Sequence, residues 1–323
     1  MATVSTTLKQ FIITASANTD FRAAAQMVHD ALSNCNLVQT SDAGQINLST
    51  VNYPGGNNQT AGTEWWRMND SLQSTVPVYM RVDYGRGGDA NSFRVLFTLS
   101  MSATNGSGVF TGVDSGSVTL QWTGGTRTAA TDPSTVYRCF ASGDTNRFIM
   151  AFFVDVPSTP SCAIFSVERT KSSDGTDNGD GICAFYILCP GSQSSSTNSQ
   201  VLFFPFNPAY SPAWSTGQGG GNKLDGFFFG RNAWASPRSN SESLSMLSGG
   251  KVYLAPIYPS FPGWRYPLMN VLVHARADLP TDYSNVTIPF YGANHTYKPL
   301  VIPGGGNFQT SNLSNIVPAM RFE

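Results

Sequence analysis

Three histidines, twenty acidic side chains and five cysteines carry most of the chemistry open to this 323-residue chain. Their spacing decides how much of it can be used. His29 lies beside an apolar helical stripe, His274 inside the strand-like run 271–275, and His295 in a loop. A zinc-protease helix needs His-x-x-x-His, a hydrolase elbow needs Gly-x-Ser-x-Gly, and a phosphate-cradling loop needs Gly-x-x-x-x-Gly-Lys-Ser. None of the three patterns occurs. A Cys or Ser nucleophile brought to a histidine only by the fold has no local signature behind it.

The acidic residues are equally uncommitted. Asp174-Gly175-Thr176-Asp177-Asn178-Gly179-Asp180-Gly181 spaces oxygen ligands as a calcium loop does. The bidentate glutamate expected six residues after the central glycine is replaced by Phe185, so an exposed turn is expected there. Glycoside cleavage needs two carboxyl groups aimed at one cleft. The four glutamates (Glu64, Glu168, Glu242 and Glu323) and the aspartates, mostly in turns, mark no such pair. Glu64-Trp65-Trp66 and the aromatics of the second half can stack on sugars, although aromatics more often build cores and oligomer contacts. Gly217–Gly221 lacks the strand-then-helix setting of a dinucleotide loop. The expectation is no catalytic residue, no metal and no cofactor.

The cysteines are Cys35, Cys139, Cys162, Cys183 and Cys189. Their number is odd, their spacing is irregular and no Cys-x-x-Cys occurs, so a zinc site is not expected. Buried reduced thiols are the simplest reading; a Cys162–Cys183 disulfide is the alternative the sequence leaves open.

The elements that would position these residues are mostly strands. The exception is Phe21, Ala24, Ala25, Val28, Ala31, Leu32 and Cys35, whose spacing of three and four predicts an amphipathic helix over 19–34. Asn18 or Thr19 can cap it, Asp20 suits its first turn, and Asn34–Asn36 can stop it. After it come short strands at 38–40 and 45–48, a loop at 53–62, and the alternating strand Val78 to Tyr84, which pairs with Phe93–Met101 as a hairpin. Further strands are expected at 118–122, 136–140, 147–154, 162–167 and 182–189. Strands spaced in this way by turn residues predict an antiparallel sandwich or meander.

The polar run 191–200 reads as a loop or linker. It divides a helix-plus-β region, 1–190, from a loop-rich β region, 201–323, unless the two form one continuous domain. The second region holds thirteen of the nineteen prolines and the aromatics Phe204, Trp214, Phe228 and Trp234, which are candidate contact residues.

Composition narrows the function classes. The chain is 41% hydrophobic but only 12% charged, against about 25% for an average domain. It is too apolar for disorder, and its net charge of -1 gives no global attraction for nucleic acid. No apolar run reaches the length of a membrane-spanning helix. The stretch 1–10 lacks the charged and apolar regions of a secretory signal, so assembly in a cytoplasm is expected.

Three stretches taken together resemble a loosely defined group of structural proteins from tailed-bacteriophage virions. They are Leu37-Val38-Gln39-Thr40 to Ile46, the block Gly62-Thr63-Glu64-Trp65-Trp66-Arg67-Met68-Asn69-Asp70-Ser71-Leu72-Gln73, and Pro77 to Tyr84-Gly85. Gly106 to Gly112 fits the same pattern, and 251–258 with 292–299 fits it weakly. The resemblance implies a virion protein that assembles with itself and with other virion proteins in the tail, baseplate or neck. A capsid decoration protein, a host-glycan-binding tail-tip adhesin and a tail-associated depolymerase are the alternatives. The quoted motifs are structural, so no active site is carried over. Trp65, Trp66, Arg67, Asn69, Asp70 and Tyr84 are the architectural candidates.

Overall fold

The computed structural model describes residues 2–9, 18–88, 93–122, 136–155, 161–172, 174–175, 181–189, 199–204, 215–216, 254–256, 268–275, 284–290, 292–300 and 316–323. Within them lie one α-helix and three antiparallel sheets. The fold is mainly β, as the composition and alternation predict.

The helix α1 spans Asn18–Asn34, and the predicted stripe is its buried face: Phe21, Ala24, Ala25, Val28, Ala31 and Leu32, joined by Met27. Its C-terminus is closed by Asn36 in the left-handed region, φ 67°, with the Leu37 N–H donating to the Leu32 carbonyl at 3.2 Å. This is the six-to-one bond of a helix stop, and Asn tolerates the backbone it requires. At the other end Asn18 is already helical, and its side-chain oxygen accepts the Tyr53 N–H at 2.8 Å. The asparagine foreseen as a cap thus ties the helix start to a distant loop.

The first sheet runs β2 (Val38–Gln39), β3 (Thr60–Arg67), β4 (Tyr79–Arg86), β5 (Phe93–Ser100) and β6 (Asp114–Trp122), in that order. Val78, Met80, Val82 and Tyr84 form one buried row, as their alternation predicts. The strand expected at 45–48 is absent; Gln45 makes a single bridge to Thr63, and 48–50 is a turn.

The second sheet runs β1 (Ala2–Lys9), β7 (Val136–Asp144), β8 (Arg147–Asp155), β9 (Ser161–Arg169), β10 (Ile182–Cys189), β11 (Ser199–Phe204) and β12 (Ser215–Thr216). β11 pairs with β10, so this sheet continues past the polar segment that begins at Gly191. The register sets Cys162 opposite Cys189 and Cys183 opposite Glu168. Six residues of strand, roughly 20 Å, separate the backbone positions of Cys162 and Glu168. A Cys162–Cys183 disulfide, which needs Cα atoms within about 7 Å, does not fit that register. Cys35 and Cys139 are free and buried.

The third sheet runs β13 (Leu254–Pro256), β14 (Val271–Ala275), β17 (Ile316–Arg321), β16 (Ala293–Pro299) and β15 (Val286–Phe290). The described residues in the middle of β7, β8 and β9 are buried on both faces. On the inner face Cys139, Ala141, Phe148, Met150, Phe152, Ala163, Phe165 and Val167 share one core with α1 and the first sheet. Phe97 of β5 stacks on Phe165 of β9, with ring centres 4.0 Å apart. On the outer face Phe140 meets Phe322 edge-on, and the Lys298 ammonium lies over both rings. Met269 and Asn270 before β14, Lys298 of β16 and Phe322 after β17 lie against this face.

Candidate functional site

The densest polar arrangement among the described residues lies where α1 meets β2, β3 and β4. Glu64 and Trp66 are two apart on β3 and therefore project from the same, core-facing side. The Glu64 side chain is 1% exposed. Its Oε1 is bonded to His29 Nδ1 of α1 at 2.7 Å and to Gln39 Nε2 of β2 at 3.3 Å. Its Oε2 accepts from the Tyr84 hydroxyl of β4 at 2.6 Å and from Trp66 Nε1 at 3.2 Å. One carboxylate thus gathers four donors from the helix and three strands. Burying a charge without partners is prohibitive, and four donors make it tenable.

The neighbours of Glu64 have shifted acidities. Its hydrogen bond and negative charge raise the pKa of His29 above the ordinary value, against a smaller opposing effect of burial. Burial, then the charge of Glu64, pushes the Tyr84 hydroxyl well above its usual range, so it remains a donor. The His29 ring also meets Trp66 edge-on, with centres 5.3 Å apart.

A second buried carboxylate organises the opposite side of β3. Asp42 accepts from the Thr104 hydroxyl at 2.7 Å, the Gly108 N–H at 3.1 Å and the Thr40 hydroxyl. These bonds pull the 102–112 loop over Trp65. Phe110 packs edge-on to Trp65 at 4.9 Å and the Arg81 guanidinium lies 5.8 Å from its ring centre. Gly108 has φ +73°, and a Cβ there would come within 2.9 Å of Trp65 Nε1, so both backbone and space require glycine.

Two further carboxylates join segments about a hundred residues apart. Asp70 receives a two-pronged bond from Arg169, whose side chain is fully buried. Glu168 accepts the backbone N–H groups of Met269 and Asn270 at 2.8 and 2.9 Å, fastening the third sheet to the second. The Asn270 amide then donates to Ser166 Oγ at 2.9 Å and to the carbonyls of Phe148 and Val167. Burial raises the Glu168 pKa, more than the nearby Arg147 lowers it. Near the end of the sequence, Glu323 bonds His295 Nδ1 at 2.9 Å, the Thr296 N–H at 2.9 Å and Arg321 Nε at 2.7 Å. Despite partial burial these bonds hold its carboxyl down at about 2.

The architectural candidates are therefore dispersed among structural roles. Trp65, Trp66 and Tyr84 are buried. Arg67 is half-buried and donates to the Met68 carbonyl, Asn69 is exposed, and Asp70 joins Arg169. Phe204 ends β11 opposite Ile182, while Trp214, Phe228 and Trp234 lie outside the described residues. So does most of the acidic run, 176–180. Sequence reasoning did not single out Glu64 as a hub, nor Asp42, Glu168 or Asn270. The signal was there for two of them: in a chain with four glutamates, Glu64 shares a strand face with Trp66, and Glu168 directly follows the apolar run 162–167.

The chemistry available from these groups is restraint. Each carboxylate accepts from several donors of its own chain, contributed by α1, by strands and by the loops beside them. Among the described residues no cluster of three or more His, Cys, Asp or Glu could hold a metal ion, and no helix is long and apolar enough to cross a membrane. No family model matches the chain, and no curated protein matches its sequence.

Proposed function

We propose that this protein is a non-enzymatic structural component of a tailed-phage virion, in the tail, baseplate or neck, that acts through interfaces with itself and with other virion proteins. One observation supports this reading above the others. The stretches that carry the resemblance, separated along the chain, fold onto one another around Trp65 and Trp66. The Leu37–Ile46 stretch supplies Gln39 to Glu64 and Asp42 to the 106–112 run; that run supplies Phe110 to Trp65; the Pro77–Gly85 stretch supplies Tyr84 to Glu64. Their polar groups are engaged in mutual restraint, which suits a rigid building block.

Imaging of assembled particles by electron microscopy, with this chain traced in the density, tests the proposal. The expected result is a ring or other symmetric array with extensive contacts between copies. A chain that is monomeric and without partners in its native setting would overturn it. Binding of isolated protein to arrays of host surface glycans, lost on Trp214→Ala or Trp234→Ala, would move the assignment to an adhesin.

A further inference from the structure

We infer that His29 and Glu64 form a proton-dependent clamp that sets how firmly α1 is docked on the first sheet. This inference does not depend on the virion reading.

Three observations carry it. The contact is direct: His29 Nδ1 lies 2.7 Å from Glu64 Oε1. It is unequal in exposure, since Glu64 is 1% exposed and the His29 side chain 25%. The imidazole can therefore exchange a proton with water while its partner is sealed in the core. The partner is also immobile, because Gln39, Trp66 and Tyr84 hold the same carboxylate from β2, β3 and β4. A proton gained by His29 turns a hydrogen bond from a neutral donor to the carboxylate into a hydrogen-bonded ion pair across the α1–β3 contact.

The charged groups around the ring act in the same direction. Glu64 faces it from β3, and Asp30, its neighbour on α1, adds a second negative charge. Tyr84 on β4 stays protonated and Gln39 on β2 is neutral. β1 and β7 approach the helix near Cys35, where the Ala2 carbonyl meets the Cys35 thiol. Burial pushes Cys35 up to about 12 and Cys139 higher, so neither thiol titrates near histidine. The raised His29 pKa fixes the sign. The added stability is complete below the ordinary histidine value of 6.5 and is lost as pH rises through the higher folded value. Neutral His29 still bonds through one tautomer, so the helix loosens without being released.

The test uses the full chain. Hydrogen exchange of the helix amides is followed from about pH 6 to about pH 9, after correction for the intrinsic exchange rate, in the wild type and in His29→Gln. Glutamine keeps a donor within reach and removes the titration. The expected result is that protection of 18–34 in the wild type falls several-fold more than in the variant over this range, while β8 and β9 change alike in both. Equal pH profiles in the two proteins would overturn the clamp. If His29→Gln does not fold, the wild-type His29 resonance decides. A midpoint above 6.5 that coincides with the loss of helix protection supports the clamp, and a midpoint at or below 6.5 overturns it.

Discussion

The two faces of the β7–β9 strands are buried by different means. The inner face, toward α1 and the first sheet, offers Phe148, Met150, Phe152, Phe165 and Val167 to an apolar core. The outer face, toward the third sheet, mixes Ile149, Ala151 and Ile164 with Ser142, Ser166 and Glu168, all buried. Apolar packing is non-directional and tolerates volume-conserving exchange. Buried hydrogen bonds are directional and penalise any arrangement that leaves a donor or acceptor unmatched. The inner face is therefore expected to supply the larger share of the stability. The outer face selects one placement of the third sheet, through Glu168 and Asn270.

Four experiments sharpen or break that contrast. Phe165→Ala has the largest expected effect. It removes a fully buried ring stacked on Phe97 and should cost about 3–5 kcal/mol, read as a fall in the denaturation midpoint of the whole protein. Glu168→Ala leaves the N–H groups of Met269 and Asn270 without their acceptor, at about 2–4 kcal/mol. Its signature should be local: proteolysis and hydrogen exchange should report loosening of 268–275 and 316–321 while α1 keeps its protection. Identical protection patterns in the two variants would break the contrast.

Gly108→Ala probes the Trp65 loop, outside both faces. The strained φ and the contact with Trp65 should cost about 1–3 kcal/mol, with changed Trp65 fluorescence and little effect on the third sheet. The smallest effect is expected from Ser166→Ala, about 1 kcal/mol, because the Asn270 amide keeps its two carbonyl acceptors. A loss as large as that of Glu168→Ala would show that the serine, and not the carboxylate, selects the docking.

The pH dependence of stability separates the carboxylate that attaches the third sheet, Glu168, from one that joins strands within it, Glu323. Glu168, raised from its ordinary 4.5 by burial, contributes stability below that value that is lost as pH rises through its folded value. Glu323, lowered to about 2, contributes stability above 4.5 that is lost as pH falls toward 2. Glu323→Gln should therefore flatten the acid limb of a stability profile and leave the limb above 4.5 in place.

Residues close in sequence were the readable ones. The 3.6-residue stripe placed α1 within a residue of its observed limits, because the apolar face of a helix is a local periodicity. Alternation located β4, its hairpin partner β5 followed, and a continuous apolar run located β8, all of them local patterns. The strand expected at 45–48 failed because two apolar residues in alternation do not outweigh the turn formed by Asn47, Ser49 and Thr50. β1 went unrecognised, since its threonines and serine have no clear inner face until it lies along β7, more than a hundred residues away.

The sequence by itself determined the mainly-β class, the helix near the N-terminus, and the low charge that leaves turns to Ser, Thr, Asn and Gly. Tertiary structure alone decided where each rare ionisable group ends. It placed His29 on Glu64, Asp70 on Arg169, and Glu168 on the backbone at Met269 and Asn270. Local periodicity reports which side of an element is buried. Which donor a buried carboxylate meets depends on strand order and register, and these are set only when distant segments pack.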